Sequence, residues 1–196
     1  RTRRKLLIAA PVAQCYYSTR EMDKQLRVEN LIREYAKSKD GGCFMKTLYL
    51  VTGAAGYLGG EVCRQIVSRG LQGRALVLPG DKTAKYIPKE IEQYEGDLCD
   101  VASLERFFQV EPGVETIVLH CASMVALGNE RRELVMKVNV QGTQNIIDQC
   151  AAHKECKKLV YVGSTGSLPE LPHGQKMKEP ERFEPDESLG VYGQSK

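Results

Sequence analysis

Apolar positions fall into short uninterrupted runs from residue 45 onward. Leu48 to Val51, Arg74 to Leu78, Thr116 to Leu119 and Leu159 to Val162 are each bounded by glycine, proline or polar residues. Runs of that length predict strands buried on both faces, as in a parallel sheet. A weaker run, Ile91 to Tyr94, leads into Gly96 and predicts one more strand. Between the runs, apolar residues recur at helical spacing. They predict a helix from Gly56 to Arg69 stopped by Gly70, one from Val101 to Phe108 with Asp100 as N-cap, and a long one from Leu134 to about His153. Strand and helix alternate, which predicts an α/β fold: a parallel sheet covered by helices on both faces and joined by right-handed crossovers.

Residues 1–44 have a different character. Met22, Leu26, Leu31 and Tyr35 predict one amphipathic helix, closed by Asp40, Gly41 and Gly42, and Met45 then opens a buried strand as a natural start would. This front segment is expected to lie outside the fold as an upstream piece or a misassigned reading frame, with a docking helix as the other reading. The domain itself is expected over 45–196. Charge agrees with the division: residues 1–44 carry ten Lys and Arg against five Asp and Glu, so the net +3 of the chain leaves about −2 for the rest. With no basic stripe on the main body, a nucleic-acid partner is not expected. Ordinary hydrophobic and charged fractions, 42% and 27%, place the chain among globular domains. The apolar run Leu6 to Ala10 is too short to span a bilayer, so no membrane partner is expected either. Seven irregularly spaced cysteines do not form a disulfide framework and fit a reducing, cytoplasmic setting. Pro169, Pro172, Pro180 and Pro185 predict a long irregular loop from Ser167 to Asp186.

The stretch TGAAGYLGG, Thr52 to Gly60, follows the first strand and opens the first helix. Gly53, Gly56 and Gly59 are spaced for a tight turn, for close approach of a pyrophosphate to backbone, and for close packing of the helix. The helix N-terminal amides would face the anion. In that context the loop predicts dinucleotide binding.

The GxxGxxG spacing resembles the short-chain dehydrogenase/reductase superfamily, and more closely its extended branch of NAD-dependent epimerases, dehydratases and reductases. Five further motifs carry the resemblance in order: GDL at Gly96 to Leu98, HCAS at His120 to Ser123, NVQGTQN at Asn139 to Asn145, YVGSTGS at Tyr161 to Ser167, and YGQSK at Tyr192 to Lys196. It implies a doubly wound Rossmann-type sheet in the order 3-2-1-4-5. It implies that Gly53, Ala55, Gly56, Tyr57, Leu58 and Gly59 hold the cofactor phosphates. Asp97 and Leu98 would meet the adenine, while Cys121, Ala122, Ser123 and Asn139 would lie along the cofactor. Tyr192 would be the acid/base and Lys196 would hold the nicotinamide ribose. Thr165, with Ser164 as alternative, would orient the substrate oxygen; here the sequence departs from the family, since Gly163 and Thr165 stand where serine is often found.

The chemistry of the residue types points the same way. Hydride exchange with nicotinamide needs a partner that exchanges a proton with the substrate oxygen. A free tyrosine titrates near 10, roughly three units above neutrality, so it needs a nearby cation, and a lysine four residues on supplies one. Taken alone, Tyr192 and Lys196 could equally be an exposed i,i+4 pair. For the cofactor, Asp81 argues for NAD and the adjacent Lys82 for NADP, with the balance toward NAD. Cys150, His153 and Cys156 resemble metal spacing but lack a fourth ligand, so no metal is expected. His120 and Cys121 are explained by packing against the cofactor, and Val125, Leu134, Val138 and Ile146 by the core. The resemblance implies a C-terminal, substrate-shaping part beyond Lys196. The chain is therefore expected to be a fragment that binds cofactor weakly and turns over nothing. Its parent would be an oxidoreductase or epimerase acting on a small-molecule hydroxyl or carbonyl, such as a sugar nucleotide or a steroid-like or flavonol-like compound, and able to pair as a homodimer. The alternative is a nucleotide sensor or scaffold without catalysis.

Overall fold

In a computed structural model of the chain, residues 46–126, 128, 131–176, 182 and 184–196 are described. The helix expected within residues 1–44 lies outside them. The predicted runs become five parallel strands: β1 (Lys46–Thr52), β2 (Gln72–Val77), β3 (Glu92–Glu95), β4 (Val114–His120) and β5 (Cys156–Tyr161). Their order is β3-β2-β1-β4-β5, as expected. Leu50 and Val51 at the centre of β1 are fully buried, which is why an uninterrupted apolar run forms there.

Helices α1 (Tyr57–Ser68) and α2 (Val101–Phe108) cover the sheet, and the Asp100 carboxylate accepts from Ala102 N as the N-cap of α2. Val62, Cys63 and Ile66 of α1 face inward. Leu104, Phe107 and Phe108 of α2 join Leu50, Leu76, Val118 and Ile146 in the main core. Each such side chain contributes about 1.5–3 kcal/mol of burial. β3 differs from the others because its residues, EQYE, are mostly exposed. It is paired to β2 and packed on the core through Tyr94, and Arg74 adds to this: its Nε meets Glu92 Oε2 at 2.8 Å while its guanidinium also donates to the carbonyls of Phe107 and Gln109. One arginine thus ties the edge strand to the end of α2.

The long helix is less regular than predicted. α3 (Arg132–Met136) passes through a π-helical turn, Lys137–Gln141, into α4 (Gly142–Ala152). The expectation of a core face through Val125 and Leu134 fails: Val125 lies in the loop before the helix, and Leu134 precedes the π turn on a face turned to the cleft. Val125 is 66% exposed and Leu134 44%, whereas Ile146 is fully buried. After β5 come single 3-10 turns at Thr165–Ser167 and Pro185–Glu187, and then the short α5 (Gly190–Gln194). Among the described residues, no helix is long and apolar enough to cross a membrane.

Candidate functional site

The carboxyl ends of β1 to β4 open into a cleft of about 540 Å³. It lies where the strand order reverses between β1 and β4, the usual ligand crevice of such sheets. Of the residues expected to hold a cofactor, Gly53, Ala55, Gly56, Asp81, Asp97, Leu98, Cys121, Ala122 and Ser123 line it together.

The glycine loop forms the floor. Gly53 has φ +69, and a Cβ there would stand 2.6 Å from Ala122 N. A Cβ on Gly59 would stand 2.1 Å from Gly53 O, so the helix and its own loop touch backbone to backbone. Gly56 is the N-cap of α1; the cap has no side-chain hydrogen bond, and the first turn holds no acidic residue. The first amides of this twelve-residue helix are therefore available to an anion, which is the donor set that a pyrophosphate needs. The Tyr57 side chain is 92% exposed and that of Leu58 42%, so neither forms the wall, and their backbone amides are what they offer.

On the walls, the Asp97 carboxylate accepts from Cys99 N at 2.8 Å, and Leu98 O accepts from Asn145 Nδ2 at 2.8 Å. The Asp81 carboxylate accepts from both the amide and the hydroxyl of Thr83, in that way held below the usual carboxylate range by the hydroxyl first and the amide second. Asn139 sits behind the wall, 3% exposed. Its Oδ1 accepts from Met124 N at 2.7 Å, and its Nδ2 donates to Met124 O at 3.0 Å and Ser195 Oγ at 2.8 Å. Ser195 Oγ in turn donates to Tyr192 O. One buried amide thereby connects the cleft wall to the turn that carries Tyr192 and Lys196.

That turn adjoins the cleft at Cys121. Lys196 Nζ lies 4.4 Å from the centre of the Tyr161 ring, close enough to Cys121 and His120 for their charges to interact. Burial lowers the Lys196 ammonium to about 8. The Tyr161 hydroxyl is raised, by burial first and by the neighbouring Tyr192 second. Tyr161 also stacks on His120, ring centres 5.7 Å apart. Tyr192 and Lys196 are thus not an exposed pair. Ser164 uses its hydroxyl to accept from Gly166 N as the cap of its own turn. Among the described residues, the hydroxyls of Thr165 and Tyr192 have no hydrogen-bond partner. α5 is pressed on that turn, since a Cβ on Gly193 would stand 2.3 Å from Gly166 O.

Several contributors escape sequence reasoning. Leu134 lines the cleft instead of filling the core as expected, Val138 packs against the core as expected and lines the cleft as well, and Met124 and Thr83 join them. Thr52 Oγ1 accepts from Ala122 N and is hydrogen-bonded to His120 Nδ1 at 2.6 Å. A polar residue ending an apolar strand is the signal that could have marked Thr52 and His120.

This architecture defines a dinucleotide-binding Rossmann-type domain. The chain belongs to the NAD dependent epimerase/dehydratase family, whose family model matches residues 49–196, and its relatives are extended short-chain dehydrogenases/reductases. It is 30% identical over 152 residues to a Synechocystis protein provisionally named dihydroflavonol 4-reductase, a match covering 78% of this chain and 43% of that one. It is 36% identical over 119 residues to the decarboxylating sterol-4-alpha-carboxylate 3-dehydrogenase of Schizosaccharomyces pombe, covering 60% of this chain and 33% of that one. Among solved structures, UDP-glucose 4-epimerase of Thermus thermophilus in complex with NAD superposes with a TM-score of 0.62 at 28% identity, over 76% of this chain and 47% of that one. The chain spans less than half the length of these relatives.

Proposed function

We propose that the chain carries the cofactor side and the proton-exchanging pair of an NAD(P)-dependent oxidoreductase or epimerase/dehydratase. The reaction exchanges hydride with a hydroxyl or carbonyl carbon of a small molecule, a sugar nucleotide or a steroid-like or flavonol-like compound. The observation that carries this reading is the junction at Cys121, where the turn bearing Tyr192 and Lys196 abuts the glycine-floored cleft. Both halves of a hydride-transfer site are adjacent there.

A bound nicotinamide cofactor supplies or accepts the hydride. The residues of the chain do the rest. The backbone of Gly53, Ala55 and Gly56 and the first amides of α1 bind the pyrophosphate. Asp97 and Leu98 meet the adenine, and Cys121 to Ser123 keep water from the inner wall. Tyr192 gives or takes the proton of the substrate oxygen, and Lys196 places a positive charge one turn away at pH values below about 8. Thr165, with a hydroxyl not engaged among the described residues, orients the substrate oxygen; Ser164 shapes the turn that presents it. Asp81, oriented by Thr83, accepts from the ribose hydroxyl and repels a 2′-phosphate, which favours NAD.

The test is to express the full-length gene product and follow NAD(P)H with sugar nucleotides, 3-hydroxysteroids and dihydroflavonols. Tyr192→Phe should lower turnover about 10²–10⁴-fold with cofactor affinity kept. Turnover at the wild-type rate in Tyr192→Phe would end the acid/base assignment. Tighter binding of NADPH than of NADH would end the NAD preference.

A further inference from the structure

Lys196 adjoins the cleft on a flexible four-carbon stem, and among the described residues its ammonium makes no hydrogen bond and no ion pair. What it meets is the face of the Tyr161 ring, 4.4 Å from the centroid. That ring is itself fixed. Tyr161 ends β5 in register with His120 at the end of β4, and the two rings stack with centres 5.7 Å apart and planes 28° from parallel. His120 is held in turn by Thr52 at Nδ1, 2.6 Å, and by Thr143 at Nε2, 3.0 Å. A chain of contacts therefore runs from the buried end of β1 through two rings to the ammonium.

We propose that Tyr161 is a positioning residue of the proton-exchanging pair, its ring face seating the Lys196 ammonium by a cation–π contact, a role that rests on Tyr192 and Lys196 being that pair. A cation is drawn to a ring face within about 6 Å of its centroid. A ring in place of a carboxylate has a chemical consequence. A carboxylate here would draw the N–H groups of the ammonium into an ion pair, whereas a ring face attracts the charge and leaves donors free for the cofactor ribose hydroxyls, since an ammonium carries three. The seat also faces no competing charge. Burial lowers His120 to about 4, pushes Cys121 up to about 11 and raises the Tyr161 hydroxyl, so all three are uncharged near pH 8. Tyr192 stands one turn away on α5 itself. From the elements packed on α5, Arg132 donates to Gln194, and the exposed Asp186 and Glu187 make no ion pair with Lys196.

The experiment reads Lys196 directly. The lysines of the folded chain are methylated with isotopically labelled formaldehyde and titrated by NMR, the Lys196 signal being the one lost in Lys196→Arg. In Tyr161→Leu an apolar side chain replaces the ring and the attraction to the ammonium goes with it. The midpoint should then fall below its wild-type value of about 8 by about 0.4–1.5 pH units. Tyr161→Phe keeps a ring face and should titrate with the wild type. An unmoved or raised midpoint in Tyr161→Leu overturns the seat, since the ring would then only pack or exclude water. A fall in Tyr161→Phe as large as in Tyr161→Leu overturns it too, because the hydroxyl would be the group that matters.

Should Tyr161→Leu fail to fold, the wild-type spectrum decides. A nuclear Overhauser contact between the Lys196 methyl protons and the Tyr161 ring is expected, and its absence overturns the seat. The outcome separates from that of the hydride-transfer reading. Full turnover in Tyr192→Phe with a lowered midpoint in Tyr161→Leu would remove the acid/base role and keep the seat of the cation. Turnover lost in Tyr192→Phe with an unmoved midpoint in Tyr161→Leu would do the reverse.

Discussion

Thr52 and Thr143 hold the His120 ring from both of its nitrogens, Nδ1 at 2.6 Å and Nε2 at 3.0 Å, in a wall that leaves the residue 1% exposed. Burial first, and Lys196 second, lower the imidazole to about 4, so it is neutral at physiological pH and serves packing, not proton transfer. The linkage has a definite sign. Between pH 6.5 and 4 the unfolded chain takes up a proton that the folded chain refuses, so stability falls as the pH falls through this window. At 1.36 kcal/mol per unit the full loss is about 3 kcal/mol, a large share of an ordinary domain's stability. Urea unfolding at pH 7 and pH 4 should show that loss on top of the carboxylate contribution, and His120→Gln should be less acid-sensitive by the same amount. Lys196 shifts in the same direction. Its amine, lowered to about 8, should titrate apart from the other lysines in a pH-dependent NMR experiment on methylated protein. A midpoint near 10.5 would contradict the burial on which the site depends.

At the scale of elements, the π-helical turn puts Asn139 where a regular helix would not. Its amide makes four hydrogen bonds: two clamp the backbone at Met124, one reaches Ser195, and a long one at 3.5 Å is accepted from Ser123 Oγ. Asn139→Ala removes all four. A cost of about 2–4 kcal/mol is expected by chemical denaturation, together with looser packing of α5. Strands and helices were legible in the sequence because parallel strands are apolar on both sides and helices carry a single apolar stripe. β3 was read weakly because it is a four-residue edge strand in which Tyr94 is the one side chain packed on the core, the rest being exposed. The π turn left no trace in apolar periodicity, and Leu134 was assigned to the core and lies on the cleft instead. Gly53 was legible because backbone geometry demands a glycine there, and Asp97 because GDL resembles a family motif. The Thr52–His120–Thr143 array was not, since threonine at a strand end has many uses. Gly193→Ala is a sharp test of how α5 is seated: an added Cβ would collide with Gly166 O, so Tyr192 should shift, and turnover should fall further than cofactor affinity does.

For the whole molecule, the sheet order concentrates ligand-binding groups at one end of the strands. Cofactor binding should therefore stabilise the fold from that end of the sheet. A ligand at 100 times its Kd adds about 2.7 kcal/mol to folding stability. For a domain of this size that corresponds to a rise in Tm of roughly 5–10 °C. Thermal melts with increasing NAD should show this rise. Tyr192→Phe should retain it, because the phenol contributes little to holding the dinucleotide, and Gly53→Ala should lose it, because the added methyl group strikes the Ala122 backbone beneath the pyrophosphate seat. If Gly53→Ala melted with the full NAD-dependent rise, the anion would be held elsewhere. The glycine loop would then be a structural turn, and the hydride-transfer reading would lose its floor.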